Sequence, residues 1–214
     1  MRFALDELTV ADAPQAWEAV GFEVDDGSCV LGSVRIRLAG REAGTGITTW
    51  SLRGVDDGDL DGLEIRGSDR EPPDRAASHA NGVTAVDHVV AISPDLDRTV
   101  GVLQAAGMDL RRIREAPTPA GAPRQAFFRL GEVILELVQE PDDVLERSGG
   151  RDRPAFFWGL ALTAPDLEAT VAELGQRAGE IRAAVQPGRR IATLRRSAGL
   201  SVPVALITPP SAGA

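Results

Sequence analysis

Two side chains of this 214-residue chain pair a reactive type with an unusual position. His88, one of two histidines, sits in Val86-Asp87-His88-Val89-Val90-Ala91-Ile92, a short β-branched run bounded by turn-forming residues that reads as a strand. Glu136 is the only charge within residues 133–138, so it is either buried with a partner or aimed into a cavity. Strand alternation puts Glu136 on one face with Ile134 and Val138, and His88 with Val86, Val90 and Ile92. An imidazole and a carboxylate converging across a sheet would suit Zn, Ni, Mn or Fe(II). The structural reading stands level with this: His88 meets a backbone carbonyl and Glu136, while Arg37 or Arg129 satisfies Glu136. Asp87 alternates to the opposite face and is not expected to orient His88.

Trp50 and Trp158 could stack on a flat ligand, although large apolar residues at strand centres are more often core. Cys29, the single cysteine, reads as a buried small hydrophobe. All 23 basic residues are arginine, which excludes lysine Schiff-base chemistry. The pairs Arg111-Arg112, Arg189-Arg190 and Arg195-Arg196 could clamp an anion, with a solvated face as the plainer reading. Gly-rich phosphate loops, Cys-x-x-Cys pairs, His-Glu-x-x-His and a nucleophile elbow are all absent from the sequence.

The elements that must position these groups come in copies. Pro94-Asp95-Leu96-Asp97-Arg98-Thr99-Val100 returns 71 residues later as Pro165-Asp166-Leu167-Glu168-Ala169-Thr170-Val171, with five of seven identities. Ser93-Pro94 reads as N-cap and first helical residue, and Leu96, Val100 and Leu103 give an apolar stripe ending near Gly107. Leu167, Val171 and Leu174 repeat it. Strands are expected at 86–92, about 110–114, 125–130 and 132–139, and again at 157–163, 190–195 and 201–208. Each copy is thus a β-α-β-β-β unit, and two side by side make a curved sheet with helices outside and a concave polar-lined face within. Residues 141–154 read as a polar break between the copies.

The segment 67–81 has linker composition. Before it, Leu31-Gly32-Ser33-Val34-Arg35-Ile36-Arg37-Leu38 echoes Leu130-Gly131-Glu132-Val133-Ile134-Leu135-Glu136-Leu137. A strand at 3–10, a helix at 13–20 and the Gly21 turn then make a weaker copy. Residues 47–53 and 56–63 read as a trimmed version of Phe157-Trp158-Gly159-Leu160-Ala161 and its helix. The domains expected are 1–66, a linker at 67–82, and 83–210 with modules 83–140 and 155–210.

The paired units, the strand Asp-His-Val-Val-Ala-Ile, the Pro-Asp-Leu helix start and the strand Val-Ile-Leu-Glu-Leu-Val resemble the vicinal oxygen chelate superfamily. This group includes glyoxalase I, extradiol dioxygenases, methylmalonyl-CoA epimerase and the bleomycin resistance proteins. The resemblance implies an α+β fold of paired β-α-β-β-β modules forming a cupped mixed sheet, with a degenerate N-terminal copy. It places a divalent metal in the cup, held by His88 and Glu136. By the 71-residue offset the second copy has Gly159 for His88 and Ala205 or Leu206 for Glu136, and none of these ligates. In the N-terminal unit Glu7 aligns with His88 and could supply a carboxylate, while Arg37 aligns with Glu136.

The resemblance implies a lyase, isomerase or dioxygenase acting on vicinal oxygens, with Glu136 or Glu7 as proton acceptor. The alternative is a metal-free protein that sequesters a small molecule, as bleomycin resistance proteins do, with Trp50, Trp158 and Arg37 touching the ligand. Modules of this kind pair between chains, which points to a homodimer. The net charge of −9 argues against nucleic acid, and no apolar run approaches the roughly 20 residues of a membrane span. One cysteine and no leader-like segment point to the cytoplasm.

Overall fold

The two parts of the chain form two sheets that share one strand plan. The structure is a computed structural model and describes residues 3–73, 77–118 and 121–210. The first part gives β1 (Ala4–Val10), α1 (Pro14–Glu18), β2 (Ser28–Leu31), β3 (Val34–Leu38), β4 (Ile47–Arg53), β5 (Gly58–Leu60) and β6 (Leu63–Ser68). The second gives β7 (Ala85–Ser93), α2 (Leu96–Ala105), β8 (Asp109–Arg114), β9 (Gln125–Leu130), β10 (Val133–Gln139) and α3 (Asp142–Ser148). It continues through β11 (Phe156–Thr163), α4 (Leu167–Leu174), β12 (Arg182–Ala183), β13 (Arg190–Thr193) and β14 (Val204–Ile207).

The first sheet runs β2-β3-β1-β4-β6-β5 and the second β12-β13-β14-β11-β7-β10-β9-β8. Without its edge strands β8 and β12, the second order matches the first position for position. Directions agree too. β3 runs parallel to β1 as β10 does to β7, and β4 antiparallel to β1 as β11 does to β7. The N-terminal sheet thus shares the strand order and directions of the second, within an α+β architecture of two mixed sheets.

Each sheet buries one face against a common core. Val89, Ala91, Phe128, Leu135 and Leu137 of the second sheet join Leu8, Val34, Ile36, Trp50 and Leu52 of the first in one apolar cluster. Trp50 meets Phe157 across the boundary at 5.1 Å between ring centroids, tilted edge to face. Helix α2 lies on β9 and β10 and reaches β5, burying Leu96, Val100 and Leu103 on the expected stripe. What remains is one outer face on each sheet. No helix among the described residues is long and apolar enough to cross a membrane.

Three local expectations change. The helix caps are Asp95 and Asp166, whose carboxylates accept from the amides of Arg98 and Ala169; Ser93 instead accepts from the Asp95 amide and bonds Thr99. Residues 56–63 hold no helix but the hairpin β5–β6, where Asp61 takes a left-handed φ of 56° and Gly62 follows at 92°. The polar stretch 141–154 contains α3, with Asp142 and Asp143 in its first turn, Arg147 in its last, and a left-handed Gly149 cap.

The end of the linker is fastened to the first sheet. His79 Nδ1 accepts from the Glu23 amide at 3.0 Å, so Nε2 carries the ring proton and donates to the Val30 carbonyl at 2.9 Å. Asn81 donates to the Val20 carbonyl at 2.8 Å and accepts from the Val83 amide. His79 is thus a buried structural histidine.

Candidate functional site on the outer face of the second sheet

The parallel pairing of β7 with β10 sets His88 opposite Ile134 and Val90 opposite Glu136. His88, Val90, Ile92, Ile134, Glu136 and Val138 are only partly buried, whereas their alternating neighbours are core. Nε2 of His88 lies 3.3 Å from Oε2 of Glu136. The two residues singled out by type and position therefore meet.

Asp87 joins them, against the alternation expected of it. Between Val86 and His88 the pairing with β11 slips, so that Asp87 is an extra residue in β7. Such a bulge turns two successive side chains towards one side. Asp87 Oδ1 accepts from His88 Nδ1 at 2.7 Å, which leaves Nε2 to face Glu136. The bulge also carries Val86 to the core face, away from His88.

The Asp87 carboxylate is gripped in turn by Arg189, buried just before β13: Nη1 donates to Oδ1 at 3.2 Å and Nη2 to Oδ2. Arg189 also donates to the Thr208 carbonyl and to Gln186, so the second module anchors the histidine of the first. Burial works to raise the Asp87 carboxyl, and the hydrogen bonds from His88 and Arg189 outweigh it, holding it below the usual aspartate value. On the other side Gln125 donates to Glu136 Oε1, and Arg114 donates to Gln125 Oε1 at 3.3 Å. Gln125 is thus the partner of Glu136, in place of Arg37 or Arg129. Sequence reading named Arg189 only within a candidate anion clamp, not as the partner of Asp87 102 residues away, and it missed Gln125 and Arg114, each 11 residues from the group it serves.

Other expected contacts do not form here. Glu7 lies in the first sheet, opposite Arg35, and pairs with Arg70 at 2.9 Å. Arg37 stands opposite Thr9 and Ser28 on that same sheet, exposed and remote from Glu136. Trp50 pairs with Leu8, a core position equivalent to Leu160 rather than Trp158, and is 0% exposed. Trp158 is the extra residue of a second bulge, in β11, and is 49% exposed; Phe156 beside Ile92 is 40% exposed.

The first sheet repeats the bulge. Asp6 is the extra residue of β1, and Asp6-Glu7 stands where β7 has Asp87-His88. There Asp6 is fully buried under Arg35, Arg53, Arg70 and Ser68. The chain after β6 lies over this cluster, since Arg53 donates to the Arg70 carbonyl and Arg35 to that of Glu71. The Asp6–Glu7 end of the first sheet is thus covered by its own chain.

As a metal centre the donor set fits in orientation and falls short in number. His88 and Glu136 converge, but register makes Ala205 the counterpart of Glu136, and Ala161 lies beside His88. The Gln125 amide oxygen is committed to Arg114. Among the described residues no group of three His, Cys, Asp or Glu is gathered for an ion. A catalytic ion usually keeps three protein ligands.

No family model matches the chain, and no curated protein does. Solved structures do. Methylmalonyl-CoA epimerase from Mycobacterium tuberculosis is 20% identical, with a TM-score of 0.50 over 63% of this chain and 93% of its own. A methylmalonyl-CoA epimerase variant from Streptomyces coelicolor, in complex with 2-nitronate-propionyl-CoA, is 21% identical over 62% and 99%, with a TM-score of 0.48. A hypothetical protein from Bacillus halodurans is 15% identical over 60% and 96%, at 0.47. Over the 63% of the chain that is covered, the course and pairing of its strands follow a glyoxalase-like fold, the fold of the Mycobacterium tuberculosis epimerase structure.

Proposed function

We propose that the outer face of the second sheet binds a small molecule and exchanges a proton with it, as an isomerase or lyase of glyoxalase-like type would. One observation carries this. With Nδ1–H given to Asp87, His88 Nε2 faces the Glu136 carboxylate at 3.3 Å, so an imidazole nitrogen and a carboxylate oxygen are turned towards each other. Two groups that can each take up and give back a proton then stand side by side, as proton exchange beside a carbonyl requires. Asp87, pinned by Arg189, fixes the tautomer and the ring plane. Epimerisation, the activity named in the methylmalonyl-CoA epimerase structures of this fold, is one reaction of this class.

A second reading comes from the same 3.3 Å convergence. His88 and Glu136 would supply two ligands to a divalent cation, and a substrate with vicinal oxygens the others. Binding without turnover is the remaining outcome, favoured by the exposure of Phe156 and Trp158.

The test is solvent-deuterium incorporation into a panel of 2-oxo acids, 2-hydroxy ketones and carboxylated thioesters, followed by NMR. Exchange by the wild type, lost in His88→Ala and Glu136→Gln, is expected. Exchange that survives both substitutions, or none with any compound, would overturn the proton-transfer reading.

A further inference from the structure

The outer face of the second sheet can be laid out in rows from its pairing. One row runs Ala205, Ala161, His88, Ile134, Arg129; the next runs Val90, Glu136, Phe127, Arg112; the third runs Phe156, Ile92, Val138, Gln125, Arg114. Strands lie about 4.8 Å apart, so Arg112 stands roughly 10 Å from Glu136 across the sheet. Arg114 lies two residues along the same edge strand.

These arginines differ from their neighbours. Arg111 pairs with Asp109 at 3.2 Å, and Arg124 with Asp97 and Glu115. Among the described residues, Arg112, Arg114 and Arg129 have no carboxylate within ion-pair distance, in a chain of net charge −9. Arg112 and Arg114 are nonetheless held in place. The Arg112 guanidinium lies 4.7 Å over the Phe127 ring, a contact that fixes its plane and leaves its N–H edge free. Arg114 is steadied by Gln125, which itself donates to Glu136. Between the arginines and His88 the floor is Val90, Ile92, Phe127, Ile134 and Val138, and beside His88 stand the small side chains of Ala161 and Ala205.

We propose that Arg112 and Arg114 are the anchoring end of the ligand site, and that the ligand is a small anion whose carboxylate or phosphate they grip. Its apolar body crosses the floor and its reacting group meets His88 and Glu136. The uncompensated positive edge draws an anion that the rest of this acidic surface repels. The inference rests on the proposed function for its choice of face, and it adds the charge and reach of the ligand.

The experiment compares 2-naphthoate with 2-naphthamide, which share a shape and differ in charge. Binding is read from Trp158 fluorescence and from the ring-proton NMR signals of the two histidines, at low and at high salt. The naphthoate is expected to bind about tenfold more tightly than the amide. That advantage should shrink with salt and vanish in Arg112→Gln/Arg114→Gln, two substitutions on an edge strand. Equal affinities, an advantage that survives the double substitution, or no binding of either compound would overturn the anchor. The two readings separate through His88: its signals moving equally with both compounds would keep the site and remove the anchor. An arginine-dependent preference with unmoved His88 signals would keep the anchor and remove His88 from the site.

Discussion

His88 Nδ1 lies 2.7 Å from Oδ1 of its own chain neighbour Asp87, and Arg189, 102 residues away, holds the far side of that carboxylate. A regular strand would put the two side chains on opposite faces. The bulge brings them together, and Arg189 fixes the result from the other module.

Asp87→Asn should cost about 3 kcal/mol at neutral pH, because it leaves the buried Arg189 guanidinium without its counter-charge. Since the folded-state pKa of Asp87 is depressed, its contribution is present above the unfolded value of about 3.9 and fades as pH falls towards the folded value. Urea unfolding should therefore show wild type and variant converging below about pH 4. A gap that stays constant through that range would mean Asp87 is not the titrating group.

After incubation with Zn, Ni, Mn and Fe(II) and removal of excess ions, plasma mass spectrometry should find well under one metal per chain, as two protein ligands imply. Stoichiometric metal in the wild type, lost in His88→Ala, would establish a resident ion.

Burial, with a smaller contribution from Glu23, pushes the Cys29 thiol up to about 12. His79 does not activate it, because its Nε2, 3.9 Å from the sulfur, is engaged with Val30. Ellman's reagent should react with native protein only at the rate of opening, and at once in denaturant. Rapid native reaction would refute the buried neutral thiol.

Trp50 and Trp158 should part company. Trp50→Ala should cost about 3–5 kcal/mol, as expected of a fully buried aromatic. Trp158→Ala should shift stability by less than about 0.5 kcal/mol while removing most of the acrylamide-quenchable fluorescence.

Gly159→Ala should destabilise by about 2 kcal/mol or more, since the new Cβ would sit 2.7 Å from the Pro203 carbonyl, a backbone atom that cannot turn aside. A neutral result would mean that β11 and β14 separate easily.

The fold was legible because it is repeated and because helix and strand periods differ. The seven-residue copy marks α2 and α4, and the echo of 31–38 in 130–137 marks β3 and β10, which hold equivalent places beside β1 and β7. The meeting of His88 with Glu136 followed from alternation. Alternation also misled. It assumes an unbroken register, and Asp87, Trp158 and Asp6 are extra residues at slips that composition does not signal. The misplacement of Trp50 came from aligning it with Trp158 by type, where pairing with Leu8 makes it a core residue. Arg189 and Gln125 could not be found from spacing, since only the folded sheet sets their distances.

The chain after β6, with Arg70 and Glu71 laid over Asp6 and Glu7, bears on stoichiometry. Two sheets of one plan would offer two equivalent seats, and over Asp6 and Glu7 one of them is covered by a tethered segment that a free molecule would have to displace. A titration should thus saturate at one equivalent per chain.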